Sequence, residues 1–220
     1  QKKVAQSEAD KKKLLAISKE TEKVYQKLAL DKKIQADRIR SALFPLVGTS
    51  QKIDFGTALA YAQDVQEKFG VNPAFLLAII TKESNLGANV GQCYLTNPET
   101  GAGVGKNTGT IFPNVMKPSR DVGSFLEITK ELGLDPFKTI VSCPIVSKNY
   151  WNSGSIGPAQ FLPSTWKIFA DRLKNIFGYP ANPWSPKDSF MASGMYLADL
   201  GATGNNASSQ NKAACRYNGA

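Results

Sequence analysis

Asn72-Pro73-Ala74-Phe75-Leu76-Leu77-Ala78-Ile79-Ile80-Thr81-Lys82-Glu83-Ser84 is the most apolar stretch of the chain, and it runs into a carboxylate. Asparagine followed by proline reads as a helix N-cap and the first helical position, where the missing proline N–H costs nothing. The run predicts a helix through Phe75, Leu76, Ile79 and Ile80 that stops at Gly87. Its longest uninterrupted apolar segment, Ala74 to Ile80, has seven residues. A membrane span needs roughly 20, so no span is expected in this chain.

Glu83 closes that helix behind an apolar wall. Desolvation penalises its ionised form, and the negative end of the helix dipole does the same. Both raise its pKa, which suits a proton donor working near neutrality. Lys82 opposes this only if it faces the same side. A solvated glutamate in a last turn would show the same pattern.

The composition leaves that carboxylate few competitors. The chain has 220 residues and no histidine, which removes histidine metal sites and nucleophile–histidine relays. Acid–base work then falls to carboxylates, lysine or tyrosine. Cys93, Cys143 and Cys215 form no C-x-x-C pair, so neither a zinc site nor any other metal or cofactor is expected. Cys93 and Cys143 bracket a long irregular segment. A disulfide between them would stabilise the fold by about 4 kcal/mol on loop entropy and would argue for an oxidising compartment. Two buried free thiols are the alternative, and Cys215 is the odd one out.

Outward from the apolar run, other helical patterns come densely. Phe55, Ala58, Leu59, Ala62, Val65 and Phe69 share one face and end at Gly70. Residues 119–132, 163–177 and 186–200 read as further helices, the last opened by Ser185-Pro186, and 208–217 reads as a weaker one. No convincing alternating strand pattern and no internal repeat appear. Residues 89–117 are instead a glycine-rich loop. Within it, Gly101-Ala102-Gly103-Val104-Gly105-Lys106 approaches a phosphate loop but has Thr100 in place of the first glycine and Asn107 after the lysine. Nucleotide binding is rejected.

Residues 1–40 lack glycine and proline and carry 12 Lys/Arg against 6 Asp/Glu, which is most of the chain's net charge of +9. Leu14, Ile17, Thr21, Val24 and Leu28 follow a short coiled-coil spacing that weakens at Asp31 and Gln35. The reading is an exposed helix that pairs with another helix, or with itself, through residues 1–45. Its lysines favour anionic polymers or simply keep it solvated. With one aromatic, Tyr25, and no recognised motif, it is not expected to bind nucleic acid. Pro45 and Gly48 close it, with a boundary near residues 45–52. Because the sequence begins at Gln1 rather than Met, an upstream segment with any signal peptide or anchor is expected to have been removed.

Four motifs now line up. They are Glu83-Ser84 after the apolar helix, Gly154-Ser155-Ile156-Gly157-Pro158-Ala159-Gln160-Phe161-Leu162-Pro163-Ser164-Thr165-Trp166, the Asn182-Pro183-Trp184 to Gly194-Met195-Tyr196-Leu197 segment, and Arg216-Tyr217-Asn218-Gly219-Ala220. Together, over residues 54–220, they resemble the lytic transglycosylases of the lysozyme-like superfamily, with an SLT-type domain. The 77-residue gap from Glu83 to Gln160 is closer to the membrane-associated B-type enzymes. The resemblance implies a mainly α, lysozyme-like domain (49–220) with a long irregular insertion, preceded by a coiled-coil-like arm (1–48).

It also implies cleavage of peptidoglycan glycan strands in the cell envelope, bacterial or phage-associated, outside the cytoplasm. Glu83 would be the catalytic acid and base at the bond between N-acetylmuramic acid and N-acetylglucosamine, giving a 1,6-anhydro product. Tyr217 would hold Glu83 through its hydroxyl, Gln160 would bind the sugar, and Asn218 would brace the site. Ser84, in the first motif, would also bind the substrate. Where the family usually has a serine nine residues before the glutamine, this chain has Trp151, leaving Ser153 or Asn152 to substitute. Among the aromatics, Tyr150 and Trp151 are the first choice for stacking on sugar. Phe161 is a further candidate, and Trp166, Tyr179 and Trp184 fit the core better. Two other readings remain. A hydrolytic lysozyme would use Asp171, Asp188 or Glu99 to activate water, and a non-catalytic glycan-binding scaffold would recruit partners through the arm.

Overall fold

The computed structural model describes residues 2–43, 52–144 and 154–217. The chain divides into two compact units, residues 1–39 and 40–220. The first lies within one long helix, α1 (Lys2–Leu43). Among its described apolar side chains, Ile17 and Val24 are each 63% and Leu28 51% exposed. The side chain of Leu14 and the expected closure at Pro45 and Gly48 lie outside the described residues.

The second unit is mainly α, as the helical patterns predict. It contains α2 (Phe55–Phe69), α3 (Pro73–Ser84), α4 (Gly123–Glu131), α5 (Pro163–Phe177), α6 (Pro186–Asp199) and α7 (Ala207–Tyr217). The core centres on α6, which buries Phe190, Met191, Ala192, Ser193, Met195 and Leu197. Helix α2 packs against it at Gly194, where a Cβ would lie 2.1 Å from Val65 Cγ1. Only glycine permits that approach.

The start signals behave as their chemistry requires. Asp54 and Asn72 accept from the amides of Thr57 and Phe75 at 2.9 and 3.2 Å, capping α2 and α3. Leu162 cannot cap α5. That service comes from Asp121, in a π-helical turn at Pro118–Val122, whose carboxylate accepts from the Ser164 amide (3.4 Å) and hydroxyl (2.6 Å). At α6, Ser185 donates to Asp188, which also accepts from the Asn182 amide at 2.8 Å.

The glycine-rich loop departs from the expected irregular segment. It folds into an antiparallel meander of β1 (Cys93–Asn97), β2 (Ala102–Gly105) and β3 (Ile111–Phe112). Sequence alternation misses it because β2 is half glycine and β3 is two residues long. Gly103 is obligatory, since a Cβ there would meet the Tyr94 carbonyl at 2.2 Å. Cys93 and Cys143 form a disulfide, while Cys215 is free and exposed. The disulfide fastens β1 beside Val141, which exchanges backbone hydrogen bonds with Cys93 at 2.9 and 3.0 Å.

Candidate active site

Glu83 sits in the last turn of α3, whose buried face is Leu76, Leu77, Ile79, Ile80 and Ser84. The helix stops abruptly because Asn85, Leu86 and Gly87 all take positive φ, at 52, 54 and 84°. Ser84 supports the stop. Its hydroxyl donates to the Ile80 carbonyl and accepts from the Gly87 amide at 2.8 Å, and the residue is 1% exposed. The sequence placed Ser84 with the substrate, but its side chain is consumed inside the protein and does not reach the groove.

The opposite wall is the segment 154–161. Ser142 holds its start, donating to the Ser155 carbonyl and accepting from the Gly154 amide through its carbonyl and the Ser155 amide through its hydroxyl, at 2.8–3.0 Å. Ile156 and Phe161 pair as a bridge, and the tight turn between them carries Gln160 at φ 52°. Gly157 is required there, because a Cβ would fall 1.7 Å from the Pro183 carbonyl. The Gln160 amide nitrogen donates back to the Gly157 carbonyl at 2.8 Å, which orients the amide oxygen as the remaining acceptor. Among the described residues, the non-glycine positive-φ positions are Asn85 and Leu86, which follow Glu83 by two and three residues, and Gln160, which lines the same groove as Glu83. Backbone strain of this kind collects at functional sites.

That groove has a volume of about 450 Å³ and is lined by Glu83, Arg120, Ser155, Gln160, Phe161, Leu162, Thr165, Tyr196, Arg216 and Tyr217. Burial raises the pKa of Glu83 above the usual carboxylate range, and the neighbouring Lys82 charge only partly opposes it. Glu83 is the sole carboxylate among the described lining residues. The undescribed segments 44–51, 145–153 and 218–220 contain no Asp or Glu either.

Tyr217 lines the groove but holds a different partner from the one expected. Its hydroxyl donates to the Ala159 carbonyl at 3.0 Å and meets Ser193 Oγ at 2.6 Å. A phenol has one hydrogen, so Ser193 is the donor in the second contact. Among the described residues no hydrogen bond joins Tyr217 to Glu83. Burial of the hydroxyl pushes its pKa above the ordinary tyrosine value, and the Glu83 charge adds to this.

Phe161 is 4% exposed and packs its ring against Trp166, Phe169, Tyr196 and Tyr217. It forms the groove floor and presents no open stacking face. Trp166, Tyr179 and Trp184 are core residues. Tyr150, Trp151, Ser153 and Asn218 lie outside the described residues.

Reading the sequence missed four residues here. Arg120 is fixed at the groove edge by two contacts of 2.7 Å to the fully buried Asp121. Tyr196 and Ser193 lie one turn apart on α6, the first in the groove and the second behind Tyr217. Arg216 immediately precedes Tyr217 and was visible only as part of that motif. Among the described residues no cluster of Cys, Asp and Glu could hold a metal ion, and no helix is long and apolar enough to cross a membrane.

Residues 1–211 match the transglycosylase SLT domain family. The match begins at residue 1, taking in the arm that the motifs left outside. Among solved structures, the chain is similar to the soluble lytic transglycosylase SltB1 from Pseudomonas aeruginosa, with 18% identity, a TM-score of 0.49, and coverage of 77% of this chain and 48% of that one. It is also similar to the Escherichia coli lytic transglycosylase Slt35 in complex with bulgecin A, with 19% identity, a TM-score of 0.46, and coverage of 79% and 48%. The chain thus spans about half the length of the solved structures it matches. No curated protein matches.

Proposed function

Because the chain belongs to the transglycosylase SLT domain family, we propose that it cleaves the β-1,4 bond between N-acetylmuramic acid and N-acetylglucosamine in peptidoglycan without consuming water. Protonated Glu83 gives its proton to the glycosidic oxygen as the bond from that oxygen to the muramoyl anomeric carbon breaks. The carboxylate then takes the proton of the muramoyl 6-hydroxyl as that oxygen bonds to the same carbon. The products are a 1,6-anhydro-muramoyl end and a free 4-hydroxyl, and Glu83 is again protonated.

The observation that carries this reading is a lone carboxyl of raised pKa in a groove-sized cavity. One group suffices for both proton transfers, whereas paired-acid glycosidases need a second carboxyl roughly 5–9.5 Å away. The carboxylates considered for activating water lie elsewhere. Asp188 is fully buried and bonded to Asn182 and Ser185, Asp171 lines a separate small cavity with Glu131 and Lys174, and Glu99 is exposed in the β1–β2 turn. Gln160 offers its amide oxygen to the sugar, and Tyr217 positions Gln160 by holding the preceding carbonyl. The Cys93–Cys143 disulfide supports action in an oxidising compartment outside the cytoplasm.

Replacing Glu83 by Gln tests the assignment. The variant should fold and bind sacculi yet fail to clear a murein suspension, and clearance at the wild-type rate refutes it.

A further inference from the structure

The charges around the groove do not balance, and the imbalance sits on one side chain. Among the described residues three charged ones line it, namely Glu83, Arg120 and Arg216. Burial favours the neutral form of Glu83, and Arg120 is matched by Asp121 at 2.7 Å. Arg216 is exposed in the last turn of α7 and has no ion-pair partner among the described residues. A guanidinium in this position offers a planar fork that fits a carboxylate through two parallel hydrogen bonds.

We propose that Arg216 is the groove's receptor for a carboxylate on the glycan, so that the protein prefers strands carrying a free acid near the cleaved bond. This rests on the peptidoglycan reading above. In such a glycan every second sugar bears a 3-O-lactyl group, whose carboxyl is either free or amide-linked to a stem peptide with carboxylates of its own. Both sources present the same chemistry to the arginine. A basic residue in the last turn of a helix has an ordinary alternative role, opposing the helix dipole. Lysine would serve that role equally well but has no fork.

The test is equilibrium binding by the full chain carrying Glu83→Gln, so that no probe is consumed. The probes are peptide-stripped glycan strands and stem-bearing strands, each as the free acid and as the methyl amide. The parent should bind at least one acid more tightly than its amide. R216A should weaken that acid by about tenfold, the scale of a charge-assisted hydrogen bond, and leave its amide unchanged. R216K should recover little of the loss. The pair in which the preference appears names the source, lactyl group or stem peptide. Equal weakening of acid and amide, no change in either, or full rescue by lysine overturns the proposal. Cleavage of the same strands by the wild-type chain is scored separately. Binding preference without cleavage counts against the enzymatic reading alone, and cleavage without the preference counts against Arg216 alone.

Discussion

The hydroxyl of Tyr217 donates to the backbone carbonyl of Ala159 at 3.0 Å, across 58 residues of chain. Ala159 precedes Gln160, whose φ of 52° is a conformation that a side-chain-bearing residue rarely keeps unaided. Ser193, fully buried on α6, donates to the same phenol oxygen at 2.6 Å. Helix α6, helix α7 and the glutamine turn are therefore joined at one oxygen atom.

Tyr217→Phe removes that oxygen and leaves both the Ala159 carbonyl and the Ser193 hydroxyl without it. An unsatisfied buried polar group costs about 1–3 kcal/mol. The variant should lose roughly that much stability and about ten- to hundredfold in turnover, the scale of an orienting hydrogen bond. Ser193→Ala should lose less, and the double variant should resemble Tyr217→Phe alone, because both act through one atom. Denaturation midpoints and initial rates for the four proteins check this. Additive losses would separate the two residues.

Glu83 makes stability depend on pH in a defined direction. Its pKa is raised on folding, so the folded chain binds that proton more tightly than the unfolded chain does. Its contribution is complete below the ordinary glutamate value of 4.5 and is lost as the pH climbs through the higher folded value. Glu83→Gln escapes that loss. It should be more stable than the parent at neutral pH, with the gap closing toward about pH 4. Melting curves across that range decide it, and a variant less stable at neutral pH than at acid pH, relative to the parent, reverses the sign.

The disulfide closes a loop across 50 residues and ends one position past Ser142, which holds Gly154 and Ser155 at the groove wall. Replacing both Cys93 and Cys143 by Ala should cost about 4 kcal/mol on loop entropy. It should also raise KM, because the wall loses its tether. Urea unfolding and kinetics with and without reductant measure both. An unfolding midpoint indifferent to reductant contradicts the first expectation.

The helices were legible because each carries its own periodicity and punctuation. Asn72-Pro73, Gly70 and Ser185-Pro186 mark boundaries that the structure keeps within a residue or two. The meander β1–β3 was not legible, since its strands are short and β2 uses glycine where alternation would need side chains. At the site, motif order brought Glu83, Gln160, Phe161 and Tyr217 to one groove. It did not reveal which atoms they touch. Motif membership suggested a substrate role for Ser84, whose hydroxyl is used by the helix end, and a Glu83 contact for Tyr217, whose hydroxyl goes to Ala159. Such partners are chosen by tertiary packing, and neither spacing nor periodicity encodes them. Arg120 was hidden for the same reason, since its place depends on Asp121 capping a helix that begins 42 residues later.

Digestion of murein in ¹⁸O-enriched water, with mass spectrometry of the released fragments, tests whether one carboxyl does this chemistry alone. The account predicts 1,6-anhydro-muramoyl ends free of the label, and none of either kind from Glu83→Gln. Reducing muramoyl ends carrying ¹⁸O would contradict it.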